Sequence, residues 1–501
     1  MSEKFRKYTS PEEFDKIVDY ANVTEMWNHS MAEFANEVAI VDGENYTYAQ
    51  LDEDAARFRT VLQENGAGTG SLIGILCPNS YGFVKAFLAA STFGVAAVLL
   101  PVHMDEQTVF GISAKMSLKA LVYDESLADK VALVKEKLPA VALIPASASA
   151  AEKTGAIPVP SQAIAAIMFT GGTTGKSKGV KLSQGALMAG TKNGCYGLWN
   201  VFRQRYILIL PLTHVFGLIR NLLTNLYTGS TLFICRNNQN LFRDVAVFKP
   251  TVMVLVPALV EMALNLSVQF GRNMWGPDLK TIICGAAPVA PYLVGEYAKL
   301  GITLLHGYGL TESANLVSGN GEVLRKPDSV GQFYGGMEYK IVDGELWLKG
   351  VNMMSGYISP EDNEAAYEDG YFKTGDLVRM DEEGFLYITG RKKEIIVLSS
   401  GENVSPAELE MKFNTIDTIQ DSLVYDIYEN GTQKLVLEVY PRFTKVKELG
   451  ITDLEAHLKA AFDEVNKTLP SFERINKLII RDTDFIRTPA MKIARNLNGK
   501  K

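Results

Sequence analysis

Residues 169–183 read FTGGTTGKSKGVKLS. The residue types suit the grip of an anion. Gly171, Gly172 and Gly175 let backbone N–H groups come close. Thr170, Thr173 and Thr174 offer hydroxyl donors, and Lys176 and Lys178 add charge. The Gly-Lys-Ser triplet suggests a Walker phosphate loop, which needs Gly, four residues, then Gly-Lys and Ser or Thr. Only three residues separate Gly171 from Gly175, and Thr170 stands where the first glycine belongs. A Walker loop also leads directly into a helix whose N-terminus holds the phosphates. Here a strand, AIAAIMF, leads in, and GVKLS reads as a second strand leading out. Ser183 is the predicted N-cap of the next helix, QGALMAG. The loop therefore reads as a phosphate clamp of another kind.

The elements that must position it form an α/β pattern. TYAQLDEDAARFRTVLQENG has helical spacing and ends at Gly66; SLIGILC follows as a strand. SYGFVKAFLAASTFG is helical, and AAVLLPV, KALVYD, RYILILP and TVMVLVP read as strands. Continuous apolar strands between helices predict parallel-rich sheets covered on both faces. Residues 145–162 are a loop by composition. After about Asp376 the texture changes: VRMDEEGFLYITGR reads as a hairpin, and Asn430-Gly431 marks the turn of a second. A helix from 452 and the strand KLIIRD complete a small α+β unit beginning near Lys393.

Bulk properties narrow the classes. The 501 residues exceed one ordinary domain. A net charge of −7 without basic runs argues against nucleic-acid binding. Four scattered cysteines form no CxxC pair and fit reduced thiols of the cytoplasm. The first sixteen residues lack an apolar core, so no signal peptide is expected. The most apolar run, Phe87 to Val102, is shorter than the roughly 20 residues of a membrane span, so none is expected.

Further motifs follow in order: PLTHVFG at 211–217, GAAPV at 285–289, HGYGLTES at 306–313, the long block 371–410 and RTPAMKIAR at 487–495. Together with TGGTTGKSKGV they resemble the acyl-adenylate-forming superfamily over nearly the whole chain. That superfamily includes acyl-CoA synthetases, adenylation domains and luciferases. The resemblance implies a large N-terminal domain, 1–392, with a β-barrel-like subdomain, and a small mobile C-terminal domain, 393–501, hinged at Lys393. It implies that a carboxylate attacks the α-phosphate of ATP, that pyrophosphate leaves, and that a thiol takes the acyl group. The thiol would be CoA or a carrier protein's phosphopantetheine. Bringing two anions together makes cationic stabilisation the main catalytic need.

By the same resemblance, the loop 170–175 and Lys178 hold the β and γ phosphates. Glu312, with Thr173, holds Mg²⁺, and Thr311 meets the α-phosphate. Tyr308 stacks on adenine, with His306, Gly307 and Gly309 also at the nucleotide, while Gly285, Ala286 and Ala287 meet its edge. Asp376 accepts from both ribose hydroxyls, with Arg391 near. Lys492 bridges the substrate carboxylate and the α-phosphate, and Ser400, Gly401 and Glu402 serve the thiol side after the small domain turns. Alone, an Asp before Leu reads as a turn, and a lysine in a polar C-terminal stretch as solvated. Two positions depart from the family: Met491 replaces the glycine before Lys492, and Ser177 the proline before Lys178.

The resemblance makes His214 the start of a helix lining the acyl pocket, with Val215, Phe216 and Gly309. At about 100° per residue, Val215, Leu218, Ile219, Leu222 and Leu226 form a core stripe. His214, Gly217, Arg220, Asn221 and Thr224 fall on another arc. Arg220 either pairs with a structural acid or reaches the pocket, where it would favour a small, aryl or polar-tailed acid over a plain long-chain fatty acid. The reading that follows is an ATP-dependent acid–thiol ligase of the cytoplasm, its partners a small carboxylic acid and CoA, with room for a homodimer. A carrier-loading adenylation enzyme is the rival within the family. A luciferase-like oxygenase or silent binding module is the rival outside it, and the presence of Lys492, Glu312 and Asp376 speaks against silence.

Overall fold

The computed structural model describes residues 3–170, 178–399, 401–429, 432–487 and 493–499, and the statements below concern these. Strands Leu72–Leu76, Ala96–Leu99 and Ala120–Tyr123 are apolar throughout, as burial on both faces requires. With Ala142–Pro145 and Ile164–Thr170 they form parallel pairs of one six-stranded sheet. Its edge is the antiparallel pair Ile164–Thr170 and Lys178–Ser183. The apolar run 87–102 is divided between the helix Tyr81–Ser91 and the strand Ala96–Leu99.

A nine-stranded sheet lies beside the first. Its inner strands, including Arg205–Leu208, Val252–Leu255, Thr281–Cys284 and Thr303–Leu310, run parallel. Antiparallel strands close both edges, Asn315–Asn320 and Gln332–Phe333 on one side and Glu44–Thr47 on the other. One apolar core joins the sheets, with Ile73, Ile75 and Leu99 from the first and Tyr206, Leu208 and Val254 from the second. Helix Tyr48–Glu64 enters that core through a Thr47/Gln50 capping box and stops before Gly66, at φ 74°.

A third, five-stranded antiparallel sheet holds Met337–Val342, Glu345–Gly350, Tyr371–Met380 and the returning strand Leu386–Arg391. After the 3₁₀ turn Lys392–Glu394 the chain builds a separate core around Leu409, Phe413, Leu437 and Phe462. The hairpin expected there is strands Ile419–Glu429 and Thr432–Pro441, and the helix is Leu454–Thr468. This unit sits on the large one through a compact polar cluster. The Arg442 guanidinium lies 3.7 Å from the centre of the Tyr292 ring, and its Nε is 3.6 Å from Glu261. Tyr292 donates its hydroxyl to Glu261, and Thr444 bonds Asn265 at 3.0 Å.

All four cysteines are buried and unbridged. Burial pushes every thiol up, Cys235 to about 11 and Cys195 to about 12. Among the described residues no helix is long and apolar enough to cross a membrane.

Candidate active site

The loop that opened the sequence reading is framed by a strand pair. Thr170 stands opposite Lys178 in register, so residues 171–177 connect the ends of a hairpin rather than a strand and a helix. Ser183 caps the following helix, Gln184–Asn193, by accepting from Ala186 N–H. That helix is drawn against the turn after the third motif. A Cβ on Gly190 would lie 1.9 Å from the Ala314 carbonyl oxygen, so only glycine permits this approach.

The turn is Thr311–Ser313, and it presents Glu312. The Tyr357 hydroxyl donates to Glu312 Oε1 at 2.7 Å. Lys178 Nζ lies 4.7 Å from the centre of the same Tyr357 ring and pairs with Asp362 at 2.8 Å. One tyrosine thus joins the loop's cation to the carboxylate expected to hold a metal. Burial, reinforced by the charge of Glu312, pushes the Tyr357 hydroxyl well above its ordinary range, so it remains a donor. Residues 355–358 run along the strand Lys178–Ser183, with Ile358 N–H bonded to Gly179 O at 2.8 Å. This pairing holds Tyr357 in place.

A second cluster forms around Asp376, a buried carboxylate on the strand Tyr371–Met380. Tyr308 donates its hydroxyl to Oδ2 at 2.5 Å, and Arg391 Nε donates to Oδ1 at 2.6 Å. A carboxylate accepts about four hydrogen bonds, so two remain for vicinal hydroxyls. Burial, with Asp376 beside it, pushes the Tyr308 hydroxyl up. The Thr374 hydroxyl accepts from Asp376 N–H at 3.0 Å, and Glu345 accepts from Gly375 N–H at 3.0 Å, fixing the turn that aims the aspartate.

Backbone strain gathers between these clusters. Ala286, in the 285–287 segment, has φ 68°, and Ala314 and Asn315 have φ 44° and 87°. Left-handed backbone at non-glycine residues is costly and collects at functional sites. Gly285 N–H bonds Leu255 O at 3.2 Å, holding the segment at the end of its strand. His306 is buried, and burial pushes its imidazole down to about 4, so it is neutral.

His214 stands at the start of its helix, its carbonyl accepting from Leu218 N–H at 2.9 Å. The helix spans Phe216–Leu223 and is of the π type, and His214 Nδ1 accepts from Phe216 N–H at 3.2 Å. All eight of its residues are buried, and Val215, Leu218, Ile219, Leu222 and Leu226 of the expected core stripe join one apolar core. A π-helix winds differently from the 100° step, so its faces are not those of an α-helical wheel. Val215 is buried beside it, and the Phe216 ring lies against Gly285.

Of the other predicted residues, Lys393 is exposed in the 3₁₀ turn Lys392–Glu394. Gly401, at φ 95°, and Glu402 are exposed in the tight turn between strands Ile396–Val397 and Asn403–Val404. Gly171, Gly172, Thr173, Thr174, Gly175, Ser400 and Lys492 lie outside the described residues, as do Lys176, Ser177 and Met491. Sequence reasoning missed Tyr357, Asp362, Thr374 and Glu345. The first two fall in an irregular stretch and a short helix with no motif of their own. Thr374 and Glu345 act on the backbone around Asp376.

A family model described as AMP-binding enzyme matches residues 27–358. The chain belongs to the AMP-binding enzyme family. This AMP-binding enzyme is 26% identical over 506 residues to the peroxisomal OPC-8:0-CoA ligase 1 of Arabidopsis thaliana, covering 91% of the chain and 89% of that protein. It is 28% identical over 439 residues to the medium-chain fatty-acid–CoA ligase of Escherichia coli K12, covering 78% of the chain and 75% of that protein. The fold matches the anthranilate CoA ligase AuaEII, solved with anthranoyl-AMP, with a TM-score of 0.83 at 19% identity over 95% and 96% of the two chains. The family match stops before Asp376 and Arg391, yet the structure of this AMP-binding enzyme carries both residues to Tyr308 inside the matched part.

Proposed function

We propose that the protein activates a carboxylic acid with ATP as an acyl-adenylate and passes the acyl group to CoA, releasing AMP and pyrophosphate. The observation that carries this reading is the joining of Lys178 and Glu312 through Tyr357, within one turn of the Tyr308–Asp376 pair. A nucleotide needs both ends. Asp376 accepts the ribose hydroxyls, while Lys178 and the loop meet the β and γ phosphates. The α-phosphate then falls near Thr311.

Glu312 suits a hard cation. Tyr357 takes Oε1, and magnesium is bound through one or two carboxylates plus substrate phosphates. When bound, magnesium supplies positive charge to the departing pyrophosphate. The residues around it orient and hold. Tyr357 fixes the Glu312 carboxylate, and Lys178 exchanges Asp362 for phosphate oxygens. A carboxylate oxygen of the acid attacks the α-phosphorus as the bond to pyrophosphate breaks, and Lys492 steadies both anions. In the second half-reaction the small domain, hinged at Lys393, turns Ser400, Gly401 and Glu402 toward the thiol. That thiol attacks the acyl carbon and AMP leaves.

The CoA-ligase names of both relatives support CoA as the acceptor. The four unbridged thiols support a cytoplasmic setting. The test measures AMP and pyrophosphate release across a panel of acids, with CoA and with a phosphopantetheinylated carrier protein. Release that needs an acid and CoA is expected. Release with the carrier alone would reassign the acceptor, and no pyrophosphate with any acid would overturn the reading. Lys492→Ala should lower adenylation by orders of magnitude while thioester formation from supplied acyl-adenylate largely persists.

A further inference from the structure

The Phe216–Leu223 helix holds a buried charge with no counter-charge among the described residues. Arg220 is only 2% exposed, among the largest side chains buried in the protein. No carboxylate lies within ion-pair distance among the described residues, and its Nη1 has no hydrogen-bond partner. A buried guanidinium in this state is costly unless something anionic joins it. The structural acid that the sequence left open for it is absent among those residues.

What surrounds Arg220 says where that partner comes from. Its side chain packs beside Gly194, where an added Cβ would lie 3.1 Å from Arg220 Cδ. The guanidinium lies near Tyr206, Tyr334 and Cys195, and its charge opposes the rise that burial imposes on each. The Tyr206 hydroxyl is buried beside the guanidinium, which acts on it by charge and by hydrogen bond. These neighbours are all uncharged.

The same place connects to the site described above. The helix is of the π type, whose bonds reach five residues along, so Phe216 and Arg220 lie about one turn apart. Phe216 carries its ring to Gly285, within 3.1 Å of where a Cβ would stand. On the sheet opposite, Gly307 pairs with Gly319 across two strands, which leaves that face without side chains. The Tyr334 hydroxyl rests against it, 2.0 Å from the Cβ that Gly319 lacks. A band of bare backbone thus runs from the adenylate end of the site to the tyrosine that flanks the arginine. An eight-residue π-helix is itself unusual, and such geometry is frequent at functional sites.

We propose that Arg220 is the specificity residue of the acyl pocket and binds the distal carboxylate of a dicarboxylic acid. The proposal rests on the acid-activating reading above. One carboxylate of the substrate is adenylated near Thr311. The other lies one helical turn deeper, paired with Arg220 and within reach of the Tyr206 hydroxyl. A site built to pair a substrate group rejects the analogue that lacks it, because the buried polar group is then stranded.

The experiment compares matched acids of equal length, glutarate with pentanoate, adipate with hexanoate and suberate with octanoate. Initial rates of CoA-dependent AMP release are measured for the wild type, Arg220→Met and Arg220→Lys. In the wild type, at least one diacid should exceed its monoacid by about 100-fold or more in kcat/KM. Arg220→Met should lower that ratio at least about tenfold, and Arg220→Lys should lower it less. Monoacids preferred at every length by the wild type would overturn the assignment while leaving acid activation standing. A methionine variant that slows both members of a pair equally would mark the arginine as merely structural and would also overturn it. The wild-type comparison decides even if the methionine variant does not fold. No turnover with any acid would instead remove the acid-activating reading and this one with it.

Discussion

Tyr357 ties the two ends of the proposed phosphate site together through one hydroxyl and one ring face. Its hydroxyl holds Glu312 at 2.7 Å and its ring lies 4.7 Å from Lys178. Tyr357→Phe keeps the ring and removes the donor. A hydrogen bond to a charged group contributes about 1.5–3 kcal/mol, so kcat/KM for magnesium-ATP should fall roughly ten- to hundredfold. Initial rates of pyrophosphate release would show this, and an unaltered value would detach Tyr357 from the reaction. Asp376→Asn is more severe, because it turns one of the two oxygens proposed to accept from the ribose into a donor and strips Arg391 of its counter-charge. We expect a loss on the order of 100-fold or more in kcat/KM for ATP. The acid's own KM should change far less, which a two-substrate kinetic analysis would reveal.

At the scale of elements, local rules made the loop's frame legible. The glycine spacing and the β-rich GVKLS set it apart from a Walker loop, and Ser183 marked the next helix start. Ser183→Ala should cost about 1 kcal/mol, read as a lower midpoint in urea with an unchanged slope. Hairpins with strong turn residues were legible for the same reason. The π winding of the Phe216–Leu223 helix was not, because a 100° wheel cannot register it. Tyr357 and Asp362 were invisible in the sequence. Their roles depend on residues 355–358 adding to the edge of a strand some 175 residues earlier, a pairing without local signal. The strained backbone at Ala286, Ala314 and Asn315 escaped notice too, since alanine is a poor sign of left-handed φ.

For the molecule as a whole, the seat of the small unit on the large one is a titratable joint. Burial, with the charge of Asp421 adding to it, pushes Glu261 up to about 7. Tyr292, Arg442 and Arg487 act in the opposite direction, by hydrogen bond or charge. A carboxyl raised in the docked state binds its proton more tightly there than when released into water. Docking is therefore helped below about pH 4.5 and that help is lost as pH rises through about 7, with a slope near 1.4 kcal/mol per pH unit in between. Interdomain distance by fluorescence transfer should show the seat loosening across this window. Glu261→Gln, which cannot ionise, should flatten the response, and an identical pH response in that variant would discount the joint.

The four sealed thiols have a consequence for an enzyme that makes a mixed anhydride. Such an anhydride acylates any thiolate it meets, and Cys284 stands immediately before Gly285 at the adenine side of the site. Burial keeps that sulfur in its protonated form and out of contact. The chain's own sulfurs therefore do not compete with the acceptor thiol for the acyl group.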